Sequence, residues 1–463
     1  MKFGGTSVGS GEMLVRVSDI VAASPGGRVV VISAMSGVTD AILAALDKVR
    51  RDESAIDPFL ASLRDRHLKA IEDAGVSDVE ADRARREIDE LVQKLERLLY
   101  GIAYTEELTG KSRDLAVSFG ERLAVRALAA TLRSRGTPAE ALDADAAGVV
   151  TDGVFGNASP IMPEVERNLA RTVTPLVERG VAPVVTGFFG ADPLGHVTTF
   201  GRGGSDYTAS IVAAALRAER LEVWKDVDGF LTADPRVIKE AAPIDVMTYD
   251  EAAELAYVGA KVLHPRTVEP VKERGIPIYV RATFDPAGEG TLITSDTPAT
   301  ALSLRSCATK GKLAIIRLYG PGMAYTPGIG KKVFAALGDA KVNVYNMAAS
   351  QASFALLVNE EDLDRGVKAL EAMHEGIIQS VEGIRDMTLV CVVGRGIGST
   401  HGTAGRVFTA VGNAGVNIEM IGVGASDIAL NFVIRSRDAE RCLVAIHDTF
   451  LKKEPRRKGA SKP

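Results

Sequence analysis

Cysteine, aromatic side chains and long apolar runs are all scarce in this chain of 463 residues. Its three cysteines, Cys307, Cys391 and Cys442, are odd in number, far apart, and form no CxxC pair. That excludes a disulfide framework and a cysteine zinc site, and predicts a reducing, cytoplasmic setting. No apolar run approaches the roughly 18 residues that a spanning helix needs, so no membrane partner is expected. Gly4-Gly5-Thr6-Ser7 interrupts any apolar opening of the signal-peptide kind. The net charge of −5 is small for this length and suggests no nucleic-acid partner. The basic, proline-containing stretch 453–463 reads as a solvated tail.

Apolar residues make up 46% of the chain, and at about 150 residues per domain the length suggests roughly three domains. The first half alternates strands and helices. Val29-Val30-Val31-Ile32, Val181 to Val185 and Leu221-Glu222-Val223-Trp224 are short runs suited to strands buried on both faces. The pattern predicts a mainly parallel sheet with helices on both sides. Between about 52 and 110 the chain is charged, and Ile88, Leu91, Val92, Leu95, Leu98 and Leu99 keep helical spacing. This predicts a helical insertion, with Ser77 and Glu80 as a capping box at the start of one helix.

Turn signals at 285–290 and Pro298 mark a boundary. Beyond it the chain repeats. Residues 326–343 (TPGIGKKVFAALGDAKVN) and 400–417 (THGTAGRVFTAVGNAGVN) lie 74 residues apart and agree at nine of 18 positions. Each copy has an apolar strand on either side, which predicts two small α+β domains related by duplication.

Six segments carry chemistry. Lys2-Phe3-Gly4-Gly5-Thr6-Ser7 places a lysine beside a glycine turn, where backbone N–H groups can approach an anion. A lysine–phosphate charge pair at 4 Å and an effective dielectric near 20 amounts to about 4 kcal/mol. Gly201-Arg202-Gly203-Gly204-Ser205-Asp206 precedes an apolar helix. Asp206 or Ser205 is expected to cap it, its N-terminus suits an anion, and Arg202 can grip a carboxylate bidentately. Lys225-Asp226-Val227-Asp228-Gly229 follows a strand, where parallel sheets commonly hold ligands. In Gly259-Ala260-Lys261-Val262-Leu263-His264-Pro265, Lys261 could reach a phosphate, whereas His264 reads as structural. Ser33-Ala34-Met35-Ser36-Gly37-Val38-Thr39 and Ser118-Phe119-Gly120-Glu121-Arg122 complete the set. By position alone, Glu121 reads as a solvated helix charge.

These motifs, in this order and followed by the repeated domains, resemble the aspartate kinases, and the resemblance covers essentially the whole chain. It implies an α/β fold: an open αβα sandwich of the amino acid kinase type over residues 1–290, then two ferredoxin-like ACT domains at 305–385 and 386–452. It implies phosphoryl transfer from ATP, with Mg2+, to the side-chain carboxylate of L-aspartate, the first step toward lysine, threonine and methionine. The implied catalytic residues are Lys2, Arg202 and Asp206, with no metal held by protein ligands alone. Lys2, Phe3, Gly4, Gly5, Thr6, Lys225, Asp226, Leu231, Arg236, Lys261 and Val262 match nucleotide positions. Ser33, Thr39, Glu121, Arg202, Gly203, Gly204 and Ser205 match the aspartate pocket, with Glu121 facing the ammonium and Arg202 the α-carboxylate. An effector, threonine or lysine, would meet Gly328, Ile329, Asn343 and Gln351, and the paired ACT units imply a homodimer or larger homo-oligomer. The family commonly carries threonine and tyrosine where this chain has Lys225 and Leu231. It also carries a short apolar strand before the lysine that here is Lys2.

Two look-alikes fail. Gly110-Lys111-Ser112 lacks the earlier glycine of a P-loop, since position 105 is Thr105. Gly394-Arg395-Gly396-Ile397-Gly398 has Ser399 where a dinucleotide fingerprint needs glycine. The chain also leaves no room for a fused homoserine dehydrogenase. The rival readings are a related kinase of another acid, carbamate or a nucleotide, and a silent amino-acid sensor on the same scaffold. The pairing of Glu121 with Arg202 argues against the first. Retention of Lys2, Arg202, Asp206 and Lys261 argues against the second.

Overall fold

The computed structural model describes residues 1–24, 26–259, 262–295, 303–373, 378–398, 400–422 and 426–451. The tail at 453–463 and Lys261 lie outside the described residues. Two compact units emerge: Met1–Phe230 with Asp245–Tyr249 and Val262–Thr297, and Leu231–Ile244 with Asp250–Lys261 and Pro298–Pro463. The stretches 231–244 and 250–261, which precede the boundary expected near 290, therefore group with the second unit.

The first unit contains β1 (Lys2–Phe3), α1 (Gly11–Ala23), β2 (Val30–Ile32), α2 (Val38–Val49), α3 (Ile56–Asp73), α4 (Asp78–Thr105) and α5 (Gly110–Ser134). Then come β3 (Ala139–Leu142), α6 (Ala144–Ala147), α7 (Met162–Thr172), α8 (Thr174–Glu178), β4 (Ala182–Thr186), β5 (Phe189–Ala191), β6 (Val197–Thr199), α9 (Gly204–Ala215) and β7 (Leu221–Lys225). After β8 (Val246–Thr248) and α10 (Tyr249–Val258), which crosses into the second unit, α11 (Glu269–Lys272), β9 (Ile278–Ala282) and β10 (Thr291–Thr294) complete it. The sheet order is β3-β4-β2-β1-β7-β9-β10-β8. The strands from β3 to β9 run parallel, and β10 is antiparallel to β9. The apolar runs read from the sequence are β2, β4 and β7, at the centre of this sheet.

Helices α1 to α5 share one core with the sheet, built on Phe3, Ile32, Val184 and the stripe Ile88, Leu91, Leu95 and Leu99 of α4. The opposite face carries α7, α9 and α11. Helix α4 does begin after Ser77, but Ser77 makes no side-chain cap bond. Glu80 instead pairs with Arg133 of α5 at 2.5 Å, a partner outside the reach of local pattern. The look-alike Gly110-Lys111-Ser112 proves to be a helix start: Thr109 and Ser112 form the capping box of α5.

The second unit contains β11 (Ser303–Tyr319), α12 (Ile329–Asp339), β12 (Val344–Ala349), β13 (Ser353–Asn359), α13 (Leu363–Glu371), β14 (Ser380–Arg395), α14 (Thr403–Asn413), β15 (Ile418–Gly422), β16 (Ala429–Arg435) and α15 (Ala439–Phe450). The strands form one antiparallel sheet, β12-β13-β11-β14-β16-β15. The two long strands pair along their whole length, with a register shift between Lys310 and Leu313. Residues 313–319 of β11 also pair with β13, and residues 387–393 of β14 pair with β16. Each half is a four-stranded sheet in which part of β11 pairs with part of β14: 315–319 with 380–384 in the first, 303–310 with 389–395 in the second. Two apolar cores follow, one around Ile316, Val333 and Leu356, the other around Val392, Val407 and Phe432.

Candidate active site

Strand β1 lies between β2 and β7, where the chain's progression along the sheet reverses. In parallel sheets ligands bind beyond the carboxyl ends of strands at such a point. The Gly4–Gly9 turn, the loop 33–37 and the segment after Lys225 all leave the sheet on this edge.

Lys2 is almost fully buried and forms an ion pair with Asp206 in the first turn of α9. Lys225 Nζ binds the other oxygen, Asp206 Oδ2, at 2.7 Å. The sheet register explains the geometry. Lys2 lies opposite Val223, so Lys225, two residues on, shares its face one pleat further along. Phe3 and Trp224 occupy the other face and stack at 5.9 Å. Burial pushes the Lys2 ammonium down to about 8, with Asp206 opposing and Lys225 reinforcing that shift. Burial alone would raise the Asp206 carboxyl, but Lys2 and Lys225 together hold it well below the usual carboxylate range.

The glycine turn is pressed against the neighbouring loop. A Cβ on Gly5 would lie 2.6 Å from the Ala34 carbonyl oxygen, and Ser36 N donates to the Gly5 carbonyl at 3.1 Å. Thr6 is exposed at its edge. Ser33 is half-buried and its N–H donates to the Phe3 carbonyl at 3.2 Å; Thr39 lies in the first turn of α2.

Glu121 is not the solvated charge its position suggests. It is 3% exposed, and its Oε1 accepts the Ala34 N–H at 3.0 Å. Its Oε2 is buried with no partner among the described residues. Burial pushes its carboxyl up to about 8, against the pull of the Ala34 N–H and of Lys2.

Helix α9 begins differently from expectation. Neither Asp206 nor Ser205 caps it: Gly203 is the N-cap, in the left-handed region at φ 71°, with no side-chain cap bond. Ser205 and Asp206 instead lie inside the first turn, where an acidic side chain suits the helix dipole. A Cβ on Gly203 would lie 2.3 Å from His264 Cβ, so the loop and the His264 segment are in close contact. His264 Nδ1 is buried with no partner among the described residues. Arg202, just before, is exposed and makes no hydrogen bond or ion pair among the described residues.

Two residues outside the sequence-derived set shape this loop. Asp114, seven positions before Glu121 and hence on the same face of α5, accepts the N–H groups of Gly156 and Thr199, each at 2.7 Å. Arg266 donates to the Phe200 carbonyl at 3.1 Å and the Ala158 carbonyl at 2.9 Å, and its guanidinium lies 4.4 Å from the Tyr207 ring. The i, i+7 spacing could have pointed to Asp114. Nothing local could have found the partners of Arg266.

Of the remaining nucleotide positions, Asp226 is exposed directly after β7 and Val262 is half-buried, both in the first unit. Leu231 and Arg236 belong to the second unit, where Arg236 pairs with Asp234 at 2.6 Å. Of the effector set, Gly328 is the N-cap of α12 at φ 85°, Asn343 and Gln351 are exposed, and Gln351 Nε2 reaches Tyr325 Oη at 3.4 Å. The Ile329 side chain is buried in the first ACT core. Among the described residues no group of three His, Cys, Asp or Glu side chains could hold a metal ion, and no helix is long and apolar enough to cross a membrane.

Residues 1–282 match the amino acid kinase family, and residues 316–373 and 390–450 match the ACT domain. Chloroplastic aspartokinase 1 of Arabidopsis thaliana is 33% identical over 467 residues, 97% of this chain and 80% of the relative. The crystal structure of E. coli aspartokinase III in complex with aspartate and ADP has a TM-score of 0.83 at 30% identity, covering 97% of this chain and 99% of that one. The same enzyme in complex with lysine and aspartate gives 0.81. With the whole chain so matched, and a buried lysine–aspartate pair at the turn of its central strand, the chain belongs to the amino acid kinase family and, within it, to the aspartokinases, with two ACT domains.

Proposed function

We propose that Lys2, Arg202 and Asp206 carry the transfer of the γ-phosphoryl group of ATP to the side-chain carboxylate of L-aspartate, the reaction of the family. The observation that carries this reading is the buried Lys2–Asp206 pair beside the Gly4–Gly5 turn. Phosphoryl transfer asks a protein for positioning and charge neutralisation. A carboxylate oxygen of aspartate attacks the γ-phosphorus, the bond to the β–γ bridging oxygen breaks, and ADP leaves. The acceptor is already an anion, so no general base is required. Lys2 and the turn N–H groups meet the phosphates, and Asp206 holds Lys2 in place. Arg202 is free to take the α-carboxylate, and the unpartnered Oε2 of Glu121 can accept from the ammonium. Ser33, Thr39, Gly203, Gly204 and Ser205 line the same pocket. Phe3, Thr6, Lys225, Asp226 and Val262, with Leu231, Arg236 and Lys261, complete the nucleotide set. Mg2+ would enter on phosphate oxygens, the usual habit of an ion that keeps several of its waters.

The catalytic domain spans 1–290 and the ACT domains 305–385 and 386–452. They bind threonine or lysine as an end-product signal near Gly328, Asn343 and Gln351, and assemble the chain into a homodimer or larger oligomer. The lysine complex of the E. coli relative supports an amino-acid effector. Three buried thiols support a reducing compartment such as the cytoplasm.

Hydroxylamine trapping tests the reaction, because it converts an acyl phosphate into a coloured hydroxamate. With MgATP, aspartate gives signal while glutamate, N-acetylglutamate and carbamate do not, and Lys2→Met abolishes it. Signal from another acid, or none from any, would overturn the assignment. Quenching by threonine or lysine identifies the effector.

A further inference from the structure

Arg202 stands between two glycines in the left-handed region, Gly201 at φ 74° and Gly203 at φ 71°. Glycine adopts that region at no steric cost, so local preference leaves the placement of Arg202 open. What fixes it is the hold on the residues just before. Two segments meet there, 156–158 and 199–200. The Ala158 N–H donates to the Thr199 carbonyl at 2.9 Å, and a Cβ on Gly201 would lie 2.9 Å from the Gly156 carbonyl oxygen. An anion grips both segments by their N–H groups: Asp114 Oδ2, on α5, accepts from Gly156 and from Thr199, each at 2.7 Å. A cation grips the same two segments by their oxygens. Arg266 donates to the Ala158 carbonyl at 2.9 Å, the Phe200 carbonyl at 3.1 Å and Asn157 Oδ1 at 3.0 Å. Its guanidinium also lies 4.4 Å from the Tyr207 ring of α9, which Phe200 meets edge-on at 5.4 Å. Asp114 is 1% exposed, so its bonds form away from water. Charge-assisted bonds of this kind are about twice as strong as neutral ones.

We propose that Asp114 and Arg266 are positioning residues for the aspartate pocket, a two-sided clamp on Thr199 and Phe200 that sets where Arg202 meets the α-carboxylate. This rests on the phosphoryl-transfer reading above, which gives Arg202 that carboxylate. Both residues act through Arg202 rather than on the substrate. Asp114 holds the peptide that enters Thr199, and Arg266 the peptide that leaves Phe200. Neither peptide can rotate without breaking a charge-assisted bond. A guanidinium binds a carboxylate with two parallel bonds only when the fork is aligned, so a small displacement of the segment is felt in full at the substrate. The Gly4–Gly5 turn is held by the loop at 33–37 instead, so nucleotide binding should be spared.

Steady-state kinetics on Asp114→Ala, Asp114→Asn and Arg266→Met, each alone and in an Arg202→Met background, test the proposal. Asp114→Ala and Arg266→Met should lower kcat/KM for aspartate by about tenfold or more, the scale on which misplacing a binding group acts. ADP affinity, by calorimetric titration, should stay within about twofold. Asparagine keeps an oxygen that can accept both N–H groups, so Asp114→Asn should restore most of the loss. The Arg202→Met background supplies a readout that a purely structural role would not move. Residues that act through Arg202 have no further effect once it is gone, so each second substitution should then cost less than about twofold. Should Asp114→Ala fold poorly, Arg266→Met, at a half-buried position outside α5, carries the same cycle. Folded single variants with unchanged kcat/KM for aspartate, or losses that simply multiply with that of Arg202→Met, overturn the proposal. If the wild type phosphorylates another acid, the aspartate reading falls and the same cycle on that acid decides the clamp; if it phosphorylates none, both fall.

Discussion

With Glu121 as the proposed acceptor for the ammonium group, aspartate binding should release a proton. The Glu121 carboxyl is pushed up to about 8 by burial, with one oxygen on the Ala34 N–H and the other unpartnered. At pH 7 a group with that pKa is ionised in only about one molecule in ten. An ammonium ion needs the ionised form, so apparent affinity carries the factor 1 + 10^(8 − pH). That weakens binding about tenfold at pH 7 and about 100-fold at pH 6, and hardly at all at pH 9. Calorimetric titration with aspartate, in buffers of different ionisation enthalpy, should therefore show close to one proton released at pH 7 and almost none at pH 9. The free protein shows the opposite linkage. A raised carboxyl stabilises the fold below its ordinary pKa of 4.5, and that contribution is lost as pH rises through about 8. Glu121→Gln keeps an acceptor for Ala34 but carries no charge. It should bind aspartate weakly at every pH, release no proton, and bind ADP as before. Equal wild-type affinity at pH 6 and pH 8.5, without proton release, would refute the argument.

Three further outcomes follow from packing and burial. Gly203→Ala places a methyl group 2.3 Å from His264 Cβ at φ 71°. The loop must move, so kcat/KM for aspartate should fall by about tenfold or more while ADP affinity changes little; equal losses for both ligands would mean a global effect. His67 is fully buried and burial lowers its pKa to about 4, so stability from this group is present at neutral pH and lost as pH falls from 6.5 towards 4. Chemical denaturation should show about 3 kcal/mol of acid sensitivity that His67→Leu lacks, and an identical pH dependence in the variant would count against it. Phe432→Ala in the second ACT core should cost about 3–5 kcal/mol. In calorimetry of the full chain it should lower the same transition that Ile316→Ala lowers in the first, whereas separate transitions would show that the shared strands do not couple the two halves.

What could be read from the sequence was what the local pattern encodes. The β-branched runs at Val30 and Leu221 became β2 and β7, because strands buried on both faces leave an unbroken apolar signature. The repeat at 326–343 and 400–417 marked α12 and α14 with their following strands. Strand partnership was hidden, because pairing is written in no local signal: β11 and β14 each read as one apolar strand, yet each runs through both halves of the sheet. Glu121 was misread for a related reason. Helix α5 is buried on nearly every side from Ala116 to Leu132, so it has no polar face against which a buried carboxylate would stand out. The caps at Ser77 and at Ser205 or Asp206 failed because tertiary partners, Arg133 and the two lysines, claimed the side chains involved or their surroundings.

The same logic explains why the site was recognisable before its geometry was. Lys2, Ser33 and Lys225 are far apart in the chain, yet Lys2 opens the two-residue β1, Ser33 follows β2 and Lys225 ends β7, and β2, β1 and β7 are neighbours. A parallel sheet converts such positions into one edge, so motifs that follow strands converge whatever their separation in the chain. The balance of charge on that edge is different in kind. It depends on a two-residue offset in register, which sets Lys225 on the Lys2 face and leaves Asp206 between two ammonium groups. A threonine at 225 would preserve every strand and every turn and remove only the extra cation, so the charge on this edge can vary within the fold without any change in its architecture.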